Sequence, residues 1–203
     1  MQETTKELFR ANNDIIGLMQ LIKNIGWSSM REQSIHRTLY LSKVLFTFAH
    51  EKESNLFNEY HFSVSISGPY SELISRSILF LKVSENLTED NEGNISLGNT
   101  EYQVSDDLNK INWLKIVIYI LGLYGENKIF SFTINDPLYK EAVETNSQKE
   151  LDASPENKTV KVLNEFKSAF EETLDNVSNI SKEEYLELYF EYIFSKIIIT
   201  REK

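Results

Sequence analysis

The sequence predicts a mainly helical α+β fold, and three observations carry the prediction. Apolar residues recur at three- and four-residue steps through most of the 203 residues, the period of helices with one buried face. In Tyr60–Ile66, by contrast, Tyr60, Phe62, Val64 and Ile66 alternate with His61, Ser63 and Ser65, the period of a half-buried strand. A second alternating pair, Ile95–Leu97 and Thr100–Val104, flanks the turn residues Gly98 and Asn99 and predicts a hairpin.

Taken in order, Glu7–Ile25 carries Leu8, Ala11, Ile15, Met19 and Ile22 on one face and predicts a first helix ending at Gly26. After the turn Gly26–Ser29, the segment from Ser34 to about His50 predicts a second helix, with Leu41, Val44, Leu45 and Phe48 inward and Arg37 and Lys43 outward. Glu51–Glu59 is charged and predicts a loop before the strand. Ser67-Gly68-Pro69 stops that strand, and Pro69, lacking an N–H, suits the first position of a third helix. That helix runs to about Ser84, with Tyr70, Leu73, Ile74, Ser77, Ile78 and Leu81 as its apolar stripe. Thr88–Asn94 is polar and predicts a loop ahead of the hairpin.

Ser105-Asp106-Asp107 caps a fourth helix that Trp113, Leu114, Ile116, Val117, Ile118, Ile120 and Leu121 make apolar nearly all round, with Gly125 to end it. Lys128–Ile134 suits strand or helix and is assigned to a helix. Asp136-Pro137 and Ser154-Pro155 repeat the proline-at-helix-start device, predicting helices from Pro137 to about Asn146 and from Pro155 to Leu174. A polar linker separates them. Ser181 and Glu184 form a capping box for a last helix, Lys182 to about Thr200, whose face includes Tyr185, Leu188, Tyr189 and Tyr192.

Three helices, a strand before the third and a hairpin after it give the order of a winged helix, a helix-turn-helix variant whose hairpin is the wing. The expected architecture is therefore a winged-helix core over 1–104 with a small β-hairpin wing, and a C-terminal helical extension over 105–203 packed on it.

Composition limits the function. A content of 41% hydrophobic and 12% aromatic residues suffices for a packed core. No segment reaches the ~20 apolar residues of a membrane helix. The start, MQETTKELFRANND, is acidic where a signal peptide would be basic and then apolar, so a cytoplasmic protein is expected. Without cysteine there is no disulfide or thiolate chemistry. The three histidines, His36, His50 and His61, make no helical metal pair, and serine-hydrolase, P-loop and Rossmann motifs are missing. Asp106-Asp107, Glu171-Glu172 and Glu183-Glu184 fit solvated helix ends better than acid–base or magnesium sites. The run Glu89–Asn94 lacks calcium-loop spacing. A chain that is not an enzyme and holds no metal or cofactor is the expectation.

The formal charge is −10, with nine basic against thirteen acidic residues up to Val104 and twelve against eighteen beyond it. The third helix, which would enter a DNA groove, carries only Arg76 and Lys82 against Glu72, and the wing region adds Glu89, Asp90, Glu92 and Glu101. Phosphates would meet the wrong sign. Contact with protein is expected instead, with no direct sequence-specific DNA binding and no membrane.

The segments IHRTLYLSKVLFTF, YHFSVSISGPYSELISRSILFL, WLKIVIYILGLYG and DPLYKEAV, with S-G-P-Y at a helix start, resemble the middle component of ABC-three-component bacterial defence systems, the group of the Lamassu anti-phage systems. The resemblance covers most of the chain and implies an accessory or bridging subunit. Its partners would be an SMC-like ATPase and an effector, commonly a nuclease. The same helix–G-P–helix order is similar to antitoxins of the SocA and Panacea type, and a DNA-binding regulator is a further alternative that charge disfavours. Under the bridging reading, Glu72, Arg76 and Lys82 of the third helix, with Asn94, Ser96 and Asn99 of the wing, are the expected contacts.

Overall fold

The computed structural model of the chain describes residues 2–99, 108–145, 150–173 and 180–201. It is mainly helical, with a small antiparallel sheet. Helix α1 (Gln2–Asn24) leads into the two-residue strand β1 (Met30–Arg31), and α2 (Glu32–Ala49) follows at once. A short hairpin, β2 (Ser63–Ser65) and β3 (Gly68–Tyr70), precedes α3 (Glu72–Val83). A second hairpin, β4 (Leu87–Glu89) and β5 (Asn94–Leu97), follows it. The remaining helices are α4 (Leu108–Gly122), α5 (Glu126–Asn135), α6 (Pro137–Glu144), α7 (Lys158–Glu171) and α8 (Lys182–Arg201).

Helix α2 is the centre of the packing. It touches α3, α4, α5, α7 and α8 as well as β1 and β3, and every residue from Ser34 to Phe48 except Arg37 is buried. A helix enclosed on all sides has no outward face. The expectation that Lys43 points outward is therefore corrected: its ammonium is buried and donates to the Tyr60 carbonyl at 2.6 Å. Burial lowers the Lys43 pKa from the usual lysine range. Arg37 is half-buried, donating to the Ser67 carbonyl and lying 4.7 Å over the Phe130 ring. Trp113 of α4 donates its indole N–H to the Ser42 carbonyl at 2.9 Å and meets Phe46 edge-on at 5.5 Å. The buried apolar residues of α1–α3 and of the C-terminal helices form one core.

Three expectations about local structure are corrected. Pro69 does not start a helix. It lies in β3, with Val64 opposite it, and α3 begins at Glu72 after Ser71. The alternating run turns back on itself at Ser65–Gly68, so Tyr60 and Phe62 are buried as expected while Ile66, at the hairpin tip, is fully exposed. Pro155 likewise lies in a turn ahead of α7, whose first residue is Lys158 and whose cap is Asn157 Oδ1, accepting from Val160 N at 3.0 Å. Pro137 does open α6, behind the Asp136 cap.

The wing hairpin is displaced by one strand. β5 pairs on one side with β4, with Thr88 opposite Ser96, and on the other with β1, with Met30 opposite Ile95. Its turn is the polar run Asp90–Gly93, not Gly98-Asn99. Asp90 Oδ1 accepts from Glu92 N and Asn94 N at 2.9 Å, and Gly93 takes φ +79°, which suits a residue without Cβ. The expected partner strand Thr100–Val104 and the cap Ser105–Asp107 lie outside the described residues. The capping box is present, with Ser181 N donating to Glu184 Oε2 at 2.7 Å and Glu184 N to Ser181 Oγ at 3.2 Å. Tyr185 and Tyr189 of α8 are buried against Phe170 and Phe166 of α7, and Tyr192 is exposed.

Candidate partner-binding surface

Helix α3 is built with two apolar faces. Of the stripe that the spacing predicts, Ile74, Ser77, Ile78 and Leu81 are buried and Leu73 is half-buried, whereas Tyr70 lies in β3 ahead of the helix and is exposed. The opposite side carries Glu72, Arg76, Leu79, Phe80 and Val83, all exposed. At 100° per residue these five lie within an arc of about 100°. Leu79 is 61%, Phe80 50% and Val83 77% exposed, so the outward face of the helix is largely apolar.

Both ends of α3 are held in place. Ser71 N donates to His36 Nδ1 at 3.1 Å, His36 Nε2 meets Ser75 Oγ at 3.2 Å, and Ser75 Oγ donates to Glu32 Oε1 at 3.1 Å. The His36 ring, with Nε2 3.8 Å from Glu32 Oε1, and the Ser75 hydroxyl hold the Glu32 carboxyl below its usual range. This trio contains serine, histidine and carboxylate but does not have the wiring of a nucleophilic triad. Nδ1 accepts a backbone N–H, so Nε2 carries the ring proton and cannot take one from Ser75. At the other end, Glu85 N donates to Lys82 O and Asn86 N to Leu81 O, the paired bonds of a Schellman stop. Glu85 holds φ 59° there. Gly98 packs against this stop so closely that a Cβ would lie 2.0 Å from the Glu85 carbonyl oxygen.

The expected contact residues divide between free and occupied. Glu72 and Arg76 are exposed on the outward face. Lys82 is tied to Glu89 of β4 at 2.7 Å. Asn94 spends its amide on Asp90 Oδ2 at 2.8 Å, beside the hairpin turn. Ser96 is half-buried in β5. Asn99 is exposed and, with Lys82, Glu85, Leu87, Thr88 and Glu89, lines a cleft of about 470 Å³ at the carboxyl end of α3. Lys82 and Asn99 thus share one site, while Glu72 and Arg76 stand at the opposite end of the helix. Leu79, Phe80 and Val83 were not among the expected contacts. Their signal in the sequence is the run ILFLKV, which holds more apolar residues than one buried face can use.

Elsewhere three groups of polar side chains are engaged with one another. Lys110 bridges Asp14 and Glu59 in the core. Asp136 accepts from Tyr40 Oη at 2.7 Å, Thr159 Oγ1 at 2.8 Å and Tyr139 N at 3.1 Å. A cleft of about 550 Å³ beside Lys43 has carboxylates that are already engaged, Glu51 with Lys182, Glu53 with His50, Glu150 with His61 and Asp152 with the amide and hydroxyl of Ser154. Among the described residues no group of three or more histidine, aspartate or glutamate side chains is placed to hold a metal ion, and no helix is long and apolar enough to cross a membrane. Comparison with models of protein families, with curated proteins and with solved structures gives no match.

Proposed function

We propose that this chain is a non-catalytic protein-binding subunit with a winged-helix-like core, acting in a multi-subunit bacterial anti-phage complex where it contacts an SMC-like ATPase, its nuclease effector, or both. The observation that carries the protein-binding part is the exposed apolar face of α3. Leu79, Phe80 and Val83 stand where a DNA-reading helix would present donors and cations, and three exposed apolar residues grouped on one helical face favour a protein partner over a polyanion. The order α1-β1-α2-α3-β4-β5, with β1 and β4 on either side of β5, supports the winged-helix assignment. The β2–β3 hairpin is then an insertion before α3. Acidic Glu89, Asp90 and Glu92 on the wing argue against a phosphate backbone as ligand. The identity of the complex rests on the sequence resemblance.

Co-expression of the tagged chain with an SMC-like ATPase and a nuclease encoded beside it tests the proposal. The chain should retain them on affinity purification, and Leu79→Ser with Val83→Ser should release at least one. Retention of a small toxic protein instead would favour the antitoxin alternative, and salt-sensitive sub-micromolar binding of duplex DNA would overturn the assignment.

A further inference from the structure

We infer that the segment covering α3 is a basic amphipathic helix, whose apolar side seats on Leu79, Phe80 and Val83 and whose cationic side chains enter the cleft at the carboxyl end of α3; this rests on the docking role proposed above. The face has the dimensions of one helix. Its five residues run along a 12-residue helix about 18 Å long, so a partner helix laid beside it meets a narrow apolar strip with charge at both ends.

Charge decides the sign of the partner. At the amino end of the strip Glu72 and Arg76 balance. At the carboxyl end the described residues lining the cleft hold Lys82 against Glu85 and Glu89, one negative charge in excess, and Asp90 and Glu92 lie exposed on the hairpin turn. Lys82 is already drawn to Glu89. The axis of α3 ends at the same place, and its carbonyl dipoles add to the negative potential. A lysine or arginine brings the opposite charge on a long apolar stem that can lie over Phe80 and Val83. An acidic segment would meet four carboxylates with one lysine between them.

Two designed helical peptides test this, with the same leucine face and either lysine and arginine or glutamate on its flanks. Each is titrated into the full chain by fluorescence anisotropy at low and high salt. The cationic peptide is expected to bind roughly tenfold tighter than the anionic one, the preference falling as salt rises. Glu85→Gln with Glu89→Gln turns the cleft lining from one negative to one positive charge and should remove most of the preference. Leu79→Ser with Val83→Ser should abolish binding of both peptides. Equal or tighter binding of the anionic peptide overturns the inference. So does cationic binding that persists in the serine variant, because that variant keeps the net charge of −10 and reports general attraction alone. If the native partner needs the strip but the peptides show no charge preference, the inference fails and the docking role stands; if the native partner ignores the strip, the docking role itself fails.

Discussion

Replacing Lys110 with Met probes the buried charge cluster that joins α1 to α4. The Lys110 ammonium lies 2.7 Å from Asp14 Oδ2 and 2.5 Å from Glu59 Oε1, with all three side chains more than nine-tenths buried. Tyr60 Oη donates to the same Asp14 oxygen at 2.6 Å, and the Phe57 ring centroid is 4.9 Å from the ammonium. Methionine nearly matches lysine in volume, so the change removes the cation facing two carboxylates and leaves little cavity. Burial pushes the Asp14 carboxyl up to about 6, although Lys110 pulls it down.

Breaking a buried pair from one side costs about 3–5 kcal/mol, the loss expected at pH 7.5. The pH dependence follows from the raised Asp14 pKa. The folded state holds a proton that the unfolded state, near pKa 3.9, has lost, so the Asp14 contribution to stability rises as pH falls from about 6 to about 4. At about 1.4 kcal/mol per unit, that window is worth roughly 3 kcal/mol. Without Lys110 the carboxyl titrates higher still, and protonation at pH 5.0 ends its repulsion with Glu59. Urea unfolding followed by circular dichroism should show the variant losing 3–5 kcal/mol at pH 7.5 and less than half of that at pH 5.0, relative to the unsubstituted chain at each pH, in the range of about that for one broken pair. A loss below about 1 kcal/mol at pH 7.5, or an equal loss at both pH values, would refute a dry, two-to-one cluster.

Other substitutions separate folding from docking. Leu79→Ser with Val83→Ser should leave stability within about 0.5 kcal/mol per site, measured by thermal melting, while removing partner capture. Gly98→Ala forces a Cβ onto the Glu85 carbonyl oxygen, so chemical denaturation should show a loss of about 1–3 kcal/mol. Glu85→Gly relieves a left-handed φ of 59° at the end of α3 and should raise the melting temperature, by up to about 1 kcal/mol in stability. Asp136→Ala removes the α6 cap and strands the buried Tyr40 and Thr159 hydroxyls; the same assay should show a loss of about 3 kcal/mol or more.

The outward face of α3 shows how far sequence carries. Its inward stripe was legible because Ile74, Ser77, Ile78 and Leu81 repeat at the helical period, and Glu72 and Arg76 were legible as exposed because charge resists burial. Leu79, Phe80 and Val83 were not, since an apolar residue in a helix signals a neighbour without saying whether this chain supplies it. Lys82 and Asn94 read as available polar groups, yet Glu89 and Asp90 claim them. Ser67-Gly68-Pro69 read as a helix start because proline suits that position, but proline also tolerates a two-stranded edge, and the hairpin register with Val64 decided between them.

Periodicity, caps and glycine chemistry act within a few residues, so the amino-acid order alone set the helices α1, α2, α4, α6 and α8, the capping box at Ser181 and the acidic balance, whereas Lys128–Ile134 suited strand or helix until packing against α2 and α8 made it α5. Enclosure of α2, inward burial of Lys43 and Lys110, the pairing of β5 with both β1 and β4, and the solvent-facing apolar strip of α3 depend on residues tens of positions apart. Whether a polar group is buried or an apolar one exposed is a property of the neighbours that folding brings to it, and only the assembled chain supplies them.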